Sequence, residues 1–231
     1  MHKQRLSHLL ITMMGRCFDH YPMTIVKICG LRTAEHALAA ATAGAELLGL
    51  MFAESKRRIT VADAAAIVKT VRNHPLPKQP SFVGIFVNTP AQELDAIARE
   101  VGLDLVQLSG DETIDDARQV QTPWIKVIRL DDSDYTRSWL EYPTEHPLLV
   151  DAHVAGMYGG SGKLADWDQA ASVAARRPLI LAGGLTPDNI AAAIKKVRPW
   201  GVDVSSGVES NGVKDIAKIQ AFVAAARSVS L

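Results

Sequence analysis

Short apolar runs alternate with longer stretches of helical spacing along most of the chain. Eight of these runs are continuous in apolar character, which is typical of strands buried on both faces of a parallel sheet; they cover residues 24–29, 47–52, 82–87, 105–108, 124–128, 148–151, 179–182 and 201–204. Helices are predicted to begin near residues 33, 60, 90, 113, 131, 168, 186 and 214. Thr33 and Thr60 supply hydroxyl caps for two of them.

Eight strand-helix units, without hairpin signals or a linker rich in Pro, Gly or Ser, predict an α/β fold built as a single (β/α)8 TIM barrel. An open, doubly wound sheet is the alternative. It is less favoured because closing the sheet leaves no edge strands, and because no GxGxxG follows the first strand. We expect residues 24–231 to form one catalytic barrel domain and residues 1–23 to be a poorly ordered N-terminal extension.

The composition is that of an ordinary globular protein and disfavours several classes of function. The chain has 25 basic and 25 acidic residues, so it lacks the basic excess of a protein that binds nucleic acid or a membrane surface. It has no uninterrupted run of 18 apolar residues, so no membrane span is predicted. Cys17 and Cys29 form neither a CxxC motif nor a disulfide framework, which favours a reducing, cytoplasmic environment. Both a monomer and a homodimer are compatible with the sequence.

The functional residues of such a barrel lie at the carboxyl ends of its strands and in the loops that follow. Glycine-bearing loops follow the last three strands, and their backbone N–H groups and small hydroxyls suit a phosphate dianion; the residues are Gly160, Ser161, Gly162, Gly183, Gly184, Ser205, Ser206 and Gly207. Glycine is also the default turn residue, and a helix cap at Thr186 explains part of the seventh loop. That loop therefore carries less weight in the predicted phosphate site.

Cys29 and Asp151 stand at the ends of the first and sixth predicted strands. A lone cysteine in this position is more often a small core residue than a reagent. Near a helix N-terminus and a cationic loop, however, its thiol can be held partly as thiolate and act as a nucleophile or a base. Asp151, across the barrel mouth, is the complementary acid if apolar surroundings and a substrate phosphate raise its pKa. One acid and one base indicate an isomerisation.

A basic cluster of Lys56, Arg57 and Arg58 follows the second strand. Three adjacent charges are typical of a solvated loop, but an arginine at the barrel mouth can also bind a carboxylate through its planar guanidinium. Of the seven histidines, only His153 falls in a loop on the catalytic face. The sequence therefore predicts no metal site.

Several motifs follow one another in order from about residue 24. They include Lys27-Ile28-Cys29-Gly30-Leu31, Val106-Gln107-Leu108, Gly183-Gly184-Leu185-Thr186-Pro187 and Asp203-Val204-Ser205-Ser206-Gly207-Val208-Glu209. Together they resemble the motifs of phosphoribosylanthranilate isomerase, a (β/α)8 family of tryptophan biosynthesis. The resemblance implies an Amadori rearrangement of N-(5-phosphoribosyl)anthranilate to 1-(2-carboxyphenylamino)-1-deoxyribulose 5-phosphate. It implies no cofactor, and a small phosphoribosyl compound as the bound molecule.

The resemblance also implies a role for each site residue. Carried over by position, Asp151 protonates the furanose ring oxygen and Cys29 removes the C2 proton of the resulting Schiff base. Arg57, in preference to Arg58, holds the anthranilate carboxylate, and Asp203 lies near the substrate. The three glycine loops hold the substrate phosphate.

Two other functions stay open at this point. The related histidine-pathway aminoaldose-ketose isomerase resembles the chain less, because that family uses a carboxylate in the position of Cys29. A catalytically silent phosphoribose-binding barrel is the other, and the joint presence of Cys29, Asp151 and Arg57 argues against it. One departure from the family pattern is Ser109, which stands where a histidine is usual after the fourth strand.

Overall fold

The computed structural model describes residues 23–131, 133–143, 146–151 and 167–229. Eight parallel strands close into a barrel in which the eighth strand pairs with the first. They are β1 (Ile25–Ile28), β2 (Leu47–Met51), β3 (Ser81–Phe86), β4 (Leu105–Leu108), β5 (Trp124–Ile128), β6 (Leu148–Val150), β7 (Leu179–Leu181) and β8 (Gly201–Val204). The predicted (β/α)8 barrel is confirmed.

A helix follows each strand. The helices are α1 (Ala34–Ala43), α2 (Val61–Arg72), α3 (Ala91–Val101), α4 (Ile114–Gln119), α5 (Asp134–Glu141), α6 (Trp167–Ala174), α7 (Ile190–Val197) and α8 (Ile216–Arg227). Thr33 and Thr60 cap α1 and α2 as predicted, each accepting a backbone N–H from the first turn. Within the described ranges, no helix is long and apolar enough to cross a membrane. Residues 1–22 lie outside these ranges, so the proposed extension stays a prediction.

Two helices begin a few residues later than the sequence pattern predicts. α7 begins at Ile190 rather than near Thr186, because the Asn189 side chain first closes a turn. Its oxygen accepts the Thr186 N–H (2.8 Å) and its amide donates to the Gly184 carbonyl (2.9 Å). α5 begins at Asp134 rather than near residue 131.

The segment between β8 and α8 contains structure that the pattern did not predict. A single turn of 3₁₀ helix (Ser206–Val208) leads into an antiparallel hairpin of β9 (Glu209–Ser210) and β10 (Val213–Lys214). Lys214, which was predicted to start the last helix, therefore lies on a strand, and it is 7% exposed. Asp215 caps α8. The hairpin brings two charged side chains to the barrel mouth.

Side chains of the barrel strands alternate between two apolar cores. One core fills the barrel interior and comprises Ile25, Leu47, Val83, Leu105, Ile125, Leu149, Ile180, Ala182 and Trp200. The other lies between strands and helices and includes Val26 and Ile28. Because neighbouring residues of a strand point to opposite faces, Lys27 and Cys29 point into the barrel with Ile25. They occupy its open end, above the apolar filling.

A buried carboxylate ties α3 to the loop that precedes β5. Asp95 is 4% exposed. It accepts the backbone N–H groups of Gln121 and Thr122 (both 2.9 Å) and the Thr122 hydroxyl (2.7 Å). These bonds satisfy donors that have little access to water, so Asp95 is a structural group of the helix layer.

Replacing Asp95 with alanine should lower the free energy of unfolding by about 2–4 kcal/mol, since it leaves three donors without their acceptor. Urea unfolding followed by circular dichroism measures the change. Glu100→Ala, on the exposed face of the same helix, should stay within about 0.5 kcal/mol of the parent. A loss below about 1 kcal/mol in Asp95→Ala would contradict the assignment.

Candidate active site

A cavity of about 300 Å³ opens at the carboxyl ends of the strands. Its lining brings together the four side chains predicted to act on the substrate: Cys29, Arg57, Asp151 and Asp203. A larger groove of about 750 Å³ lies outside the barrel against α3 and α4, and none of the predicted site residues lines it. The candidate site is therefore at the barrel mouth, where loops of this fold place their chemistry.

Cys29 directly follows β1 and is 5% exposed. Its N–H donates to the Val204 carbonyl (2.8 Å), which extends the pairing of β1 with β8 past the end of the strand. Gly49 on β2 lies against it, and a Cβ there would stand only 3.1 Å from the Cys29 sulfur. The glycine inside the second apolar run thus leaves room for the thiol.

An ion pair lies at the base of the cavity. Lys27 and Asp203 are partners in the register of β1 and β8, and the Lys27 ammonium donates to Asp203 Oδ1 (2.9 Å). Lys27 is fully buried and Asp203 nearly so. Sequence reasoning placed Asp203 at the site but gave Lys27 no role. The available signal was a lysine at an inward position of a buried strand, which needs an anionic partner.

Arg57 lies across Gly30, where a Cβ would approach its Cδ to 2.6 Å. The Nε and Nη2 of Arg57 donate to the two oxygens of Glu209 (2.7 and 2.9 Å). Lys214 donates to the same carboxylate (2.7 Å) and to the Ser205 carbonyl (2.8 Å). Glu209 therefore orients Arg57 toward the cavity while using only two of the five N–H donors of a guanidinium.

The two adjacent arginines, Arg57 and Arg58, have different environments in the structure. Arg58 is exposed and pairs with Glu54 (3.1 Å), whereas Arg57 is almost buried and lines the cavity. Glu209 and Lys214 were missed as site residues, although the hairpin that carries them has a sequence signal: Asn211-Gly212, both at positive φ, forms its two-residue turn.

The charges of this cluster shift two pKa values in opposite directions. Burial alone would raise the pKa of Glu209, but the hydrogen bonds from Arg57 and Lys214 outweigh it and lower that pKa to about 2. Burial raises the pKa of the Cys29 thiol, and attraction to Lys27 opposes the rise without cancelling it. The net shift of the Cys29 pKa is upward, and the partial thiolate suggested by the sequence stays a prediction.

Asp151 directly follows β6, is partly buried and lines the same cavity as Cys29. Gln107 and Ser109, from β4 and its loop, line it too, and the Gln107 amide donates to the Ser109 hydroxyl (3.0 Å). Among the described residues, the side-chain amide oxygen of Gln107 (Oε1) is buried without a hydrogen-bond partner. The side chain thus offers an acceptor close to the cavity.

A second buried ion pair, between Lys126 and Glu112, supports the loop after β4. Lys126 on β5 is fully buried and pairs with Glu112, while its ammonium also donates to the carbonyls of Leu108 (3.2 Å) and Gly110 (2.8 Å). Glu112 in turn accepts the Asn88 N–H (2.8 Å). This network fixes the loop that carries Ser109.

The predicted phosphate loops are described only in part. Gly160, Ser161 and Gly162 lie outside the described residues, and Ser206 is exposed. Gly183 and Gly184 have φ values of +88° and +65°, which favour glycine for backbone reasons alone. A Cβ at Gly207 would lie 1.8 Å from the Leu185 carbonyl oxygen, so this glycine lets loops seven and eight pack together.

The Ser205 hydroxyl donates a hydrogen bond to the backbone carbonyl of Cys29, the candidate base (3.2 Å). The binding of phosphate by these loops stays a prediction.

In the part of the chain that the structure describes, no three His, Cys, Asp or Glu side chains cluster closely enough to hold a metal ion.

Comparison with known proteins agrees with the geometry. The model of the family described as N-(5'phosphoribosyl)anthranilate (PRA) isomerase matches residues 26–225. The chain belongs to this family. The N-(5'-phosphoribosyl)anthranilate isomerase of Roseiflexus sp. (strain RS-1) is 56% identical over 213 residues, covering 90% of this chain and all of the relative. Family membership makes the protein an isomerase of tryptophan biosynthesis, as predicted.

Solved structures of the family have the same fold. Phosphoribosyl anthranilate isomerase from Thermotoga maritima superposes with a TM-score of 0.79 at 38% identity, covering 90% of this chain and 100% of that one. A second structure, at TM-score 0.75 and 35% identity with the same coverage, is a complex with reduced 1-(o-carboxyphenylamino)-1-deoxyribulose 5-phosphate. The family assignment excludes the histidine-pathway alternative as the primary activity.

Glu209 should make the stability of the protein depend on pH. Its folded-state pKa of about 2 lies below the ordinary 4.5, so the carboxylate stabilises the fold above pH 4.5 and this contribution is lost as the pH falls toward 2. In urea unfolding, Glu209→Gln should be less stable than the parent at pH 6. That difference should shrink by about 2 kcal/mol at pH 3. An unchanged difference at the two pH values would show that the pair contributes no linked stability.

Proposed function

We propose that Asp151 and Cys29 are the general acid and the general base of the Amadori rearrangement of N-(5-phosphoribosyl)anthranilate. The observation that carries this proposal is that both side chains line one cavity together with a cation, Arg57. An aldose-ketose isomerisation needs a proton delivered at one atom and removed at another, so two groups facing one bound sugar suffice.

The proposed reaction proceeds in three steps. Asp151 gives its proton to the ring oxygen, the bond from that oxygen to C1 breaks, and the anthranilate nitrogen forms a protonated Schiff base with C1. Cys29, as thiolate, then accepts the proton from C2, and the electron pair of that C–H bond forms the double bond of an enolamine. The enolamine finally gains a proton at C1 and loses one from the C2 hydroxyl, which gives the ketose.

Substrate binding is divided between two kinds of group in this proposal. Arg57, held by Glu209, offers its remaining N–H donors to the anthranilate carboxylate. The loops of Gly160–Gly162, Gly183–Gly184 and Ser205–Gly207 hold the phosphate through backbone N–H groups. The buried Gln107 oxygen suits a hydroxyl or N–H of the substrate. We also place the enzyme in the cytoplasm, on the evidence of its cysteine usage.

The acid and base assignments are tested by Cys29→Ser and Asp151→Asn. Each variant should lose about 10²–10⁴-fold in turnover, because each removes one proton-transfer group. The assay follows the loss of fluorescence of phosphoribosylanthranilate generated in situ. Cys17→Ser and Asp115→Asn, the latter on an exposed carboxylate, are the matched controls and should retain turnover. Parental activity in Asp151→Asn would refute the acid assignment, and binding without turnover by the parent protein would support a silent barrel.

The two neighbouring arginines provide a test of substrate binding. Arg57→Met should lower kcat/KM by about 10- to 100-fold, the effect of losing a charge-assisted hydrogen bond to a carboxylate. Arg58→Met changes an exposed side chain in the next position and should change kcat/KM less than about twofold. Equal losses in the two variants would argue against a specific role of Arg57.

A further inference from the structure

Lys27 is a fully buried cation to which the reaction scheme above gives no role. It stands two residues before Cys29, so both side chains point into the barrel from the same strand. Its ammonium is held on one side by Asp203 at 2.9 Å. Attraction to a Cys29 thiolate is one of the causes that raise the pKa of Lys27. Lys27 therefore lies on the same strand face as the proposed base and belongs to the ion pair at the base of the cavity.

The buried charges around Cys29 do not balance when the thiol is neutral. Three cations lie near it, Lys27, Arg57 and Lys214, and each would be attracted to a thiolate at Cys29. Two carboxylates, Asp203 and Glu209, pair with these cations. Asp151 lines the same cavity and is protonated in the proposed reaction, so the cluster then carries one excess positive charge, which a thiolate at Cys29 neutralises.

Among these charges, Lys27 is the most favourably placed to act on the sulfur. Arg57 and Lys214 both share Glu209, which satisfies their charge from the side of the hairpin. Lys27 has Asp203 as its carboxylate partner (2.9 Å), and it faces the barrel interior two residues before the thiol on the same strand. Asp203 acts on the sulfur in the opposite sense, because it is a second negative charge near a developing one.

We propose that Lys27 is a positioning residue for the base: its ammonium, held by Asp203 on the same face of β1 as Cys29, stabilises the thiolate that accepts the substrate proton. The proposal rests on the role of Cys29 given above. It gives the ion pair of β1 and β8 a purpose in the chemistry, since Asp203 orients Lys27 and Lys27 supplies the charge. For the step to balance, the thiol proton must leave to solvent before Cys29 accepts the proton from C2.

The test is the pH dependence of Cys29 alkylation by iodoacetamide, a small reagent that reacts with the thiolate. Peptide mapping by mass spectrometry separates Cys29 from Cys17. In Lys27→Met the alkylation rate at pH 8 should fall about tenfold, and the midpoint of the curve of rate against pH should move to higher pH. The reason is that a nearby cation lowers a thiol pKa by about one unit or more. In Asp203→Asn the midpoint should move to lower pH.

The opposite signs distinguish electrostatics from damage to the fold, because a loosened barrel would shift both variants in the same direction. Lys126→Met is the matched control: Lys126 is equally buried and paired with a carboxylate, but it points away from the barrel interior on β5. It should leave the Cys29 midpoint in place. Circular dichroism establishes that each variant is folded.

If Lys27→Met does not fold because Asp203 is left buried without its partner, the double variant Lys27→Met/Asp203→Asn tests the proposal instead. Its pair is neutral, and the midpoint of its pH–rate curve should still lie above that of the parent, because the attraction of the thiolate to Lys27 outweighs its repulsion by Asp203. Midpoints that do not move, or that move in the same direction in Lys27→Met and Asp203→Asn, would overturn the proposal. Turnover retained in Cys29→Ser would instead overturn the role of Cys29, while the titration would still report on Lys27.

Discussion

The pairing of β1 with β8, which closes the barrel, is the constraint on which the site depends. Its register sets Lys27 opposite Asp203 and leads the Cys29 N–H to the Val204 carbonyl. A slip of one residue would turn the inward side chains of β1 toward the helices and replace them with Val26 and Ile28. Closing the sheet and assembling the charged floor of the cavity are therefore one event.

Burying the charged floor of the cavity, formed by Lys27, Asp203, Arg57, Glu209 and Lys214, has an energetic cost that an apolar floor would not have. Taking ions out of water is unfavourable, and a buried pair is often no more stabilising than apolar residues of similar volume, whereas breaking it costs about 3–5 kcal/mol. Glu209 lowers the cost by serving Arg57 and Lys214 together. An apolar floor would suit the barrel equally well but would leave a thiol with nothing to favour its ionised form.

The periodic pattern was sufficient for the barrel, because every strand is a predominantly apolar run and the alternation of strands with helices stays visible along the sequence. Cys29, Asp151 and Arg57 could be located because strand ends are identifiable from the sequence. Glu209 and Lys214 were not located, because two-residue strands have no periodicity, although Asn211-Gly212 between them is a hairpin-turn signal. The isolated lysines and aspartate inside apolar runs, Lys27 and Asp203 among them, were the signal left unused: a charge in a buried strand needs a partner.

Lys126 shows what that signal alone leaves undecided. Both Lys126 and Lys27 lie within a buried strand, both are fully buried, and both pair with a carboxylate. They differ in the direction of the side chain. Ile125 belongs to the interior core, so Lys126 points outward, where it holds the loop after β4 and lies 5.8 Å from the ring of Trp139. Lys27 points inward with Ile25, on the same strand face as Cys29. A shift of one position along a strand thus separates a lysine that supports a loop from one that faces the candidate site.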